Sequence, residues 1–227
     1  MTPKKNPENE LITRAYQVKL ETRENENGES VVEGRPITFG TFADIGGGFR
    51  ETIDRGALDE TDLTDVRLCL NHDTRFVYAR SRRNNPNSTM SLLTDANGMT
   101  IKALLDTKNS ARAKDLFTAI QREDIDKMSF MFSIKEERWD DLDTDYPTRH
   151  ITKIDSVVEV SAVTFPAYEA TTINARGKEA LESAREALEK AKSQRGTEVD
   201  TSAINEAASL NLAKAKYEFF TKTGGKN

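Results

Sequence analysis

Cysteine, histidine and long apolar runs are scarce in this chain of 227 residues, and each shortage closes off a class of function. The single cysteine, Cys69, cannot form an internal disulfide, so nothing requires an oxidising compartment. It also rules out a CxxC zinc site, and two histidines, His72 and His150, are too few for a histidine-rich metal centre. No apolar run approaches the roughly 20 residues that cross a bilayer. Met1–Glu10 is charged and has no apolar core of the kind a secretory leader carries, so neither secretion nor membrane insertion is expected. A net charge of −5 argues against general nucleic-acid binding, which shows a basic bias over the domain. Arg80, Arg82 and Arg83 cluster, but only Phe76 and Tyr78 are near enough in sequence to stack bases.

Two acidic or glycine-rich stretches suggest ligand sites and fail on pattern. Gly46-Gly47-Gly48 is not followed by Gly-Lys-Ser/Thr, so it reads as a bent surface loop rather than a phosphate cradle. The run DDLDTD at Asp140–Asp145 lacks the Gly and terminal Glu of an EF-hand loop and reads as a solvated acidic loop.

What is present divides the chain in two. Charged residues make up 31% of it, above the roughly 25% of an average domain, and composition shifts after Arg176. Over Gly177–Lys192, Leu181, Ala184, Leu188 and Ala191 form one thin helical stripe. Gly196 breaks it, and Asp200, Thr201 and Ser202 offer cap oxygens before a second helix carrying Ile204, Leu212, Tyr217, Phe219 and Phe220. Residues 177–227 are therefore expected to be a helical tail, either solvated or a partner-binding or assembly element, whose narrow seam must dock on something or pair with another helix.

Residues 11–175 instead read as a strand-rich domain. Arg14–Thr22 and Val31–Phe42 are β-type segments joined by the turn-forming Asn25–Ser30. Val66, Leu68 and Leu70 alternate, Met90–Leu93 and Met99–Leu105 flank an Asp-Ala-Asn-Gly turn, and Phe130–Ile134, Ile151–Ile154 and Val157–Phe165 follow. One amphipathic helix interrupts them, with Ala113, Leu116, Phe117 and Ile120 on one face and Asn109 or Ser110 as cap. Six or seven strands with few helices predict a mainly β, α+β domain, a closed or nearly closed antiparallel barrel with helices outside.

His72 ends the alternating Val66–Leu70 segment and Ser129 opens the segment after the helix. An imidazole is the usual general base near neutral pH, and a serine hydroxyl becomes a nucleophile when such a base takes its proton. By itself a histidine at a strand end is a weak signal, and the Gly-x-Ser-x-Gly elbow is absent.

The ordered set LCLNHD (68–73), DIDKMSFMFSI (124–134) and VVEVSAVTFPAYEAT (157–171), with GRPITFGTFAD (34–44) and ETIDRGAL (51–58) before it, resembles the prohead protease family of tailed bacteriophages. That family is related in fold to the herpesvirus capsid-maturation serine proteases, which implies a seven-stranded barrel surrounded by helices. The resemblance assigns His72 as base, Ser129 as nucleophile and Glu159 as the carboxylate that orients the imidazole. His150 is the competing third member, since the herpesvirus enzymes use a second histidine there. Glu159 is preferred because it lies inside the matched segment; Asp155, Asp73 and Asp126 are further candidates. The sequence departs from the family in having no glycine beside Ser129, which keeps Ser133 as a fallback. The Pro166–Tyr168 turn is a candidate source of oxyanion donors.

The resemblance implies an endopeptidase inside the immature prohead, in the host cytoplasm, that cleaves the scaffolding part of the major capsid protein and then itself, by serine hydrolysis without metal or organic cofactor. It also implies a homodimer and a tail that tethers the enzyme to scaffold or is removed by self-cleavage. The alternatives are a catalytically inactive scaffolding or assembly protein, and a cytoplasmic binding module with a helical interaction tail.

Overall fold

The computed structural model describes residues 10–16, 20–165 and 177–193. Among them, alternating apolar and polar residues separated by turn formers build eleven strands. These are β1 (Ile12–Tyr16), β2 (Glu21–Glu24), β3 (Ser30–Thr38), β4 (Ala43–Ile45), β5 (Phe49–Ile53), β6 (Val66–Leu70), β7 (Ala79–Ser81), β8 (Met90–Asp95), β9 (Gly98–Leu105), β10 (Lys127–Asp140) and β11 (Thr148–Val163). Helix α1 spans Ala111–Gln121. Ser110, of the two cap candidates, starts it: its Oγ accepts from the Ala113 N–H at 3.2 Å, a contact that contributes about 1 kcal/mol. The expected stripe buries Ala113, Leu116 and Ile120, with Phe117 packed beside them.

The strands make two sheets. A four-stranded antiparallel sheet has the order β2-β3-β9-β8, and a seven-stranded sheet the order β1-β10-β11-β5-β4, with β6 also on β11 and β7 on β6. Neither sheet closes on itself, so the expected seven-stranded barrel does not form; the fold is α+β with two open sheets. The reason lies in β11, which is 16 residues long and takes two parallel partners in succession. Its first part pairs with β5 at Thr148–Ile151 and its second with β6 at Glu159–Ala162. The sheet therefore forks at β11 instead of continuing round to β1. Meanwhile the segment read as one strand over Arg14–Thr22 is divided, β1 joining one sheet and β2 the other, and Ile151–Ile154 merges with Val157–Phe165 into β11.

One core joins the sheets and the helix, with Phe130, Phe132, Leu68 and Val160 from the larger sheet and Val32, Ile37, Met99 and Ile101 from the smaller. Gly46–Gly48 is the β4–β5 hairpin turn, where Gly46 and Gly47 take φ of 62° and 72° and the Gly47 N–H donates to Asp44 Oδ1. The acidic stretch after Asp140 joins β10 to β11.

Polar residues also enter the interior. Arg14 on β1 and Arg149 on β11 both donate to Glu51 on β5, from Nη2 at 3.0 Å and Nη1 at 3.2 Å, and Glu51 is fully buried. This ion-pair network links β1 to β5, which share no backbone ladder.

Residues 1–181 and 182–227 form separate units. In the first, Leu181 is buried against Ile45 and Phe49. In the second, the described residues 182–193 are helical. The segment expected to be a second tail helix lies outside the described residues.

Candidate active site

Strand β6 buries Leu68 and Cys69 and ends in a sharp turn. Asn71 and His72 have φ of 51° and 60°, a left-handed conformation that asparagine tolerates and most other side chains avoid. Such a turn persists when its surroundings hold it, and here β11 does so. The Asn71 N–H donates to the Ala162 carbonyl at 2.9 Å. Asn71 Oδ1 accepts from the Thr164 N–H at 3.0 Å and from the Thr164 hydroxyl at 3.2 Å. The His72 N–H donates to Ser161 Oγ at 3.0 Å. Together these contacts direct the imidazole back towards β11.

There, His72 Nδ1 hydrogen-bonds Glu159 Oε1. Glu159 is 1% exposed, and its other oxygen, Oε2, accepts from Ser161 Oγ at 2.6 Å. Because a carboxylate can only accept, Nδ1 carries the proton and Nε2 the lone pair. Nε2 is buried and has no hydrogen-bond partner. The arrangement is thus a base whose tautomer is fixed by a buried carboxylate, with its reactive nitrogen unoccupied.

Two side chains beside this pair bear on which nucleophile it serves. Cys69 is buried, and burial together with the nearby Glu159 carboxylate pushes its thiol up to about 12. It therefore stays a thiol at neutral pH and is not an activated nucleophile. Ser129 lies on β10 directly opposite Ser161, which in turn lies opposite Cys69, while Ala15 flanks Ser129 on β1. Four small residues thus form a row across four strands on one face. Ser129 is fully buried, and its Oγ donates to the Arg14 carbonyl at 2.9 Å; no hydrogen bond joins it to His72.

The other candidates are elsewhere. Ser133 Oγ bonds Asp155 at 3.3 Å and Ser156 at 2.9 Å, with no histidine in contact. His150 Nδ1 is 2.8 Å from Asp54 and Nε2 is 3.3 Å from Asp140. It sits on the first part of β11, roughly 30 Å along the strand from Glu159 at about 3.3 Å per residue. Asp73 pairs with Arg75 and Asp126 with Lys127. The Pro166–Tyr168 turn lies outside the described residues.

Sequence reasoning missed Ser161 and Asn71. Ser161 had a usable signal, since a residue two positions after Glu159 on a strand shares its face. Asn71 had a weaker one, as the residue best suited to a left-handed turn immediately before the histidine.

A histidine oriented by a buried carboxylate, beside a row of small residues that includes a serine, is equipment for acyl-transfer hydrolysis. A family model for the caudovirus prohead serine protease matches residues 17–186, well over half of the chain, and the chain belongs to that family. It is accordingly a serine peptidase, with a hydrolytic role of the phage capsid-maturation kind. Among solved structures it is similar to the bacteriophage T4 capsid assembly protease, gp21, with a TM-score of 0.41 and 14% identity over 67% of this chain and 96% of that one. No curated protein matches the chain. Among the described residues, no helix is long and apolar enough to cross a membrane.

Proposed function

We propose that this peptidase is a prohead maturation endopeptidase in which Ser129 is the nucleophile, His72 the general base and Glu159 the residue that orients and stabilises the imidazolium. The observation that supports this reading is the His72–Glu159 pair, with Nε2 left without a partner. For turnover the Ser129 hydroxyl leaves the Arg14 carbonyl and turns to His72 Nε2. Its oxygen attacks the scissile carbonyl carbon as Nε2 takes the proton. The tetrahedral intermediate then collapses to an acyl-enzyme, the amine leaving with the proton from Nε2. A water molecule, deprotonated by the same nitrogen, hydrolyses the ester and restores Ser129.

The substrate in this reading is the scaffolding part of the major capsid protein, followed by the enzyme itself, inside the immature prohead in the host cytoplasm. The enzyme works as a homodimer. The tail at 177–227 tethers it to scaffold or is lost by self-cleavage.

The test is co-expression of wild type and Ser129→Ala with the matching capsid protein, with intact mass as readout. Cleavage of capsid protein and of the tail by wild type alone is expected, with Ser129→Ala lower by about 10⁴-fold or more. Equal cleavage by both would remove Ser129 from the role. Cleavage by neither, in preparations that assemble shells, would return the inactive assembly-factor reading.

A further inference from the structure

Ser161 is fully buried and does two things with one hydroxyl. It donates to Glu159 Oε2 at 2.6 Å and accepts the His72 backbone N–H at 3.0 Å. A serine hydroxyl has one hydrogen to give, and here it goes to the carboxylate that holds the imidazole, while a lone pair holds the backbone that carries the imidazole. Both halves of the His72–Glu159 pair are thereby referred to one point on β11.

The need for such a point follows from the turn. Left-handed φ at two successive non-glycine residues, Asn71 and His72, is unfavourable without external contacts. The contact at His72 itself comes from Ser161. Without it the imidazole keeps its hydrogen bond to Glu159 Oε1 but loses its backbone anchor. The carboxylate at the same time loses the donor that fixes its rotation. A buried carboxylate oxygen left with fewer donors is also a costly group, so it turns to find another, and the Nδ1 contact turns with it.

Size matters as much as the hydroxyl. Ser161 stands between Ser129 on β10 and Cys69 on β6, in a row with no exposed member. A larger side chain here would occupy the face from which the imidazole and the carboxylate are approached.

We infer that Ser161 is a positioning residue of this site: it sets the relative placement of the His72 imidazole and the Glu159 carboxylate, and thereby the direction of Nε2. The inference deepens the reading above and rests on it for its kinetic consequence, but the geometric half stands on the His72–Glu159 contact alone.

Two readouts on the full chain separate these parts. The first is the rate of labelling by a fluorophosphonate, which phosphonylates an activated serine with loss of fluoride, the adduct being located by mass. With Ser161→Ala the maximal labelling rate is expected to fall tenfold to a hundredfold, the loss that small misplacements produce, while the concentration for half-maximal rate stays unchanged. Ser161→Thr, which keeps the hydroxyl but adds a methyl to the buried row, is expected to recover part of the rate lost in Ser161→Ala. The second is the low-field proton resonance of His72 Nδ1–H in ¹⁵N-labelled Ser129→Ala protein, which is expected to move and broaden when Ser161→Ala is added.

Wild-type labelling and an unmoved resonance in a folded Ser161→Ala protein would overturn the inference. If that variant does not fold, Ser161→Cys, near in volume but a weaker donor, takes its place and is expected to show an intermediate loss; wild-type behaviour there overturns the inference equally. Should the wild type fail to label at all while the resonance is present and responds to Ser161→Ala, the nucleophile assignment falls and the positioning role of Ser161 stands.

Discussion

The two ends of β11 each bury a carboxylate, and the comparison between them shows how the partner decides what the same residue type is able to do. At one end Glu51, on the neighbouring β5, is held by Arg14 and Arg149. At the other, Glu159 is held by His72 and Ser161. Both carboxylates are almost wholly out of solvent, and both would be unfavourable there without partners. The partners differ in what they can do next. A guanidinium stays charged at every accessible pH, so the Glu51 network can hold β1 to β5 but cannot pass a proton. An imidazole titrates in the physiological range and presents a second nitrogen, so the Glu159 pair can serve as a base. Burial of a carboxylate therefore says little about function until its partner is named.

The largest effect expected from breaking this contrast is at Glu159. Glu159→Gln keeps the shape but offers His72 an amide, which neither fixes the tautomer nor stabilises the imidazolium. Capsid cleavage is expected to fall on the order of 10⁴-fold, with thermal stability changed far less. Activity near wild type would mean that the His72–Glu159 contact is structural after all, and the two ends of β11 would then be alike.

Glu51→Gln should show the opposite signature. Removing the charge of Glu51 takes an anionic partner from Arg14 and one of two from Arg149, which keeps its pair with Glu137, and costs up to about 3–5 kcal/mol, read as a lower urea midpoint. The protein that remains folded should label with a fluorophosphonate at the wild-type rate; slower labelling would show that the two ends communicate, the link being Arg14, whose carbonyl holds the Ser129 hydroxyl. The same pair predicts a pH dependence. Burial alone would raise the Glu51 carboxyl, but Arg14 and Arg149 outweigh burial and hold it below its ordinary value of 4.5. Its stabilising contribution is thus complete above that value, which describes the unfolded chain, and is lost as pH falls through the lower folded value. The stability gap between wild type and Glu51→Gln should be widest near pH 7 and narrow below about pH 4.5. A gap that stays constant down to about pH 3 would exclude this account.

A smaller effect is expected at Asn71, where stability and site geometry can be separated. Asn71→Gly accepts the left-handed φ without strain but gives up the two bonds from Thr164. Stability should change by about 1 kcal/mol, while labelling slows several-fold because the histidine turn loses its side-chain tie to Thr164 and keeps only its backbone bond to Ala162 and the contact with Ser161. An unchanged rate would assign the whole anchoring of that turn to Ser161 and the Asn71 backbone.

How much of this was legible depended on the range of the interactions. Helix α1 was readable because its stripe and its cap are local. The segments around His72, Ser129 and Glu159 were readable as a family resemblance in fixed order. Sheet architecture was not, because nothing in Arg14–Thr22 marks where one strand ends and the next enters another sheet. Nor does anything in β11 announce that it takes β5 and then β6 as partners. The same holds for Arg14, Glu51 and Arg149: these residue types are ordinarily surface residues, and only long-range register shows them meeting in the interior.

The smallest expected effect closes the comparison from the histidine side. His150 also touches carboxylates, Asp54 through Nδ1 and Asp140 across Nε2, so by partner type alone it resembles His72. It differs in two respects that matter for chemistry. Both of its nitrogens face carboxylates, which leaves no nitrogen free to accept a proton from a nucleophile, and neither partner is buried as Glu159 is. His150→Gln retains hydrogen bonding at that position and removes the imidazole. Partly exposed pairs of this kind contribute about 1 kcal/mol or less, so a slight fall in melting temperature and cleavage within twofold of wild type are expected. A loss comparable to that of Glu159→Gln would place His150 in the reaction and leave Glu159 as a second Glu51, a carboxylate buried for the sheet and not for catalysis.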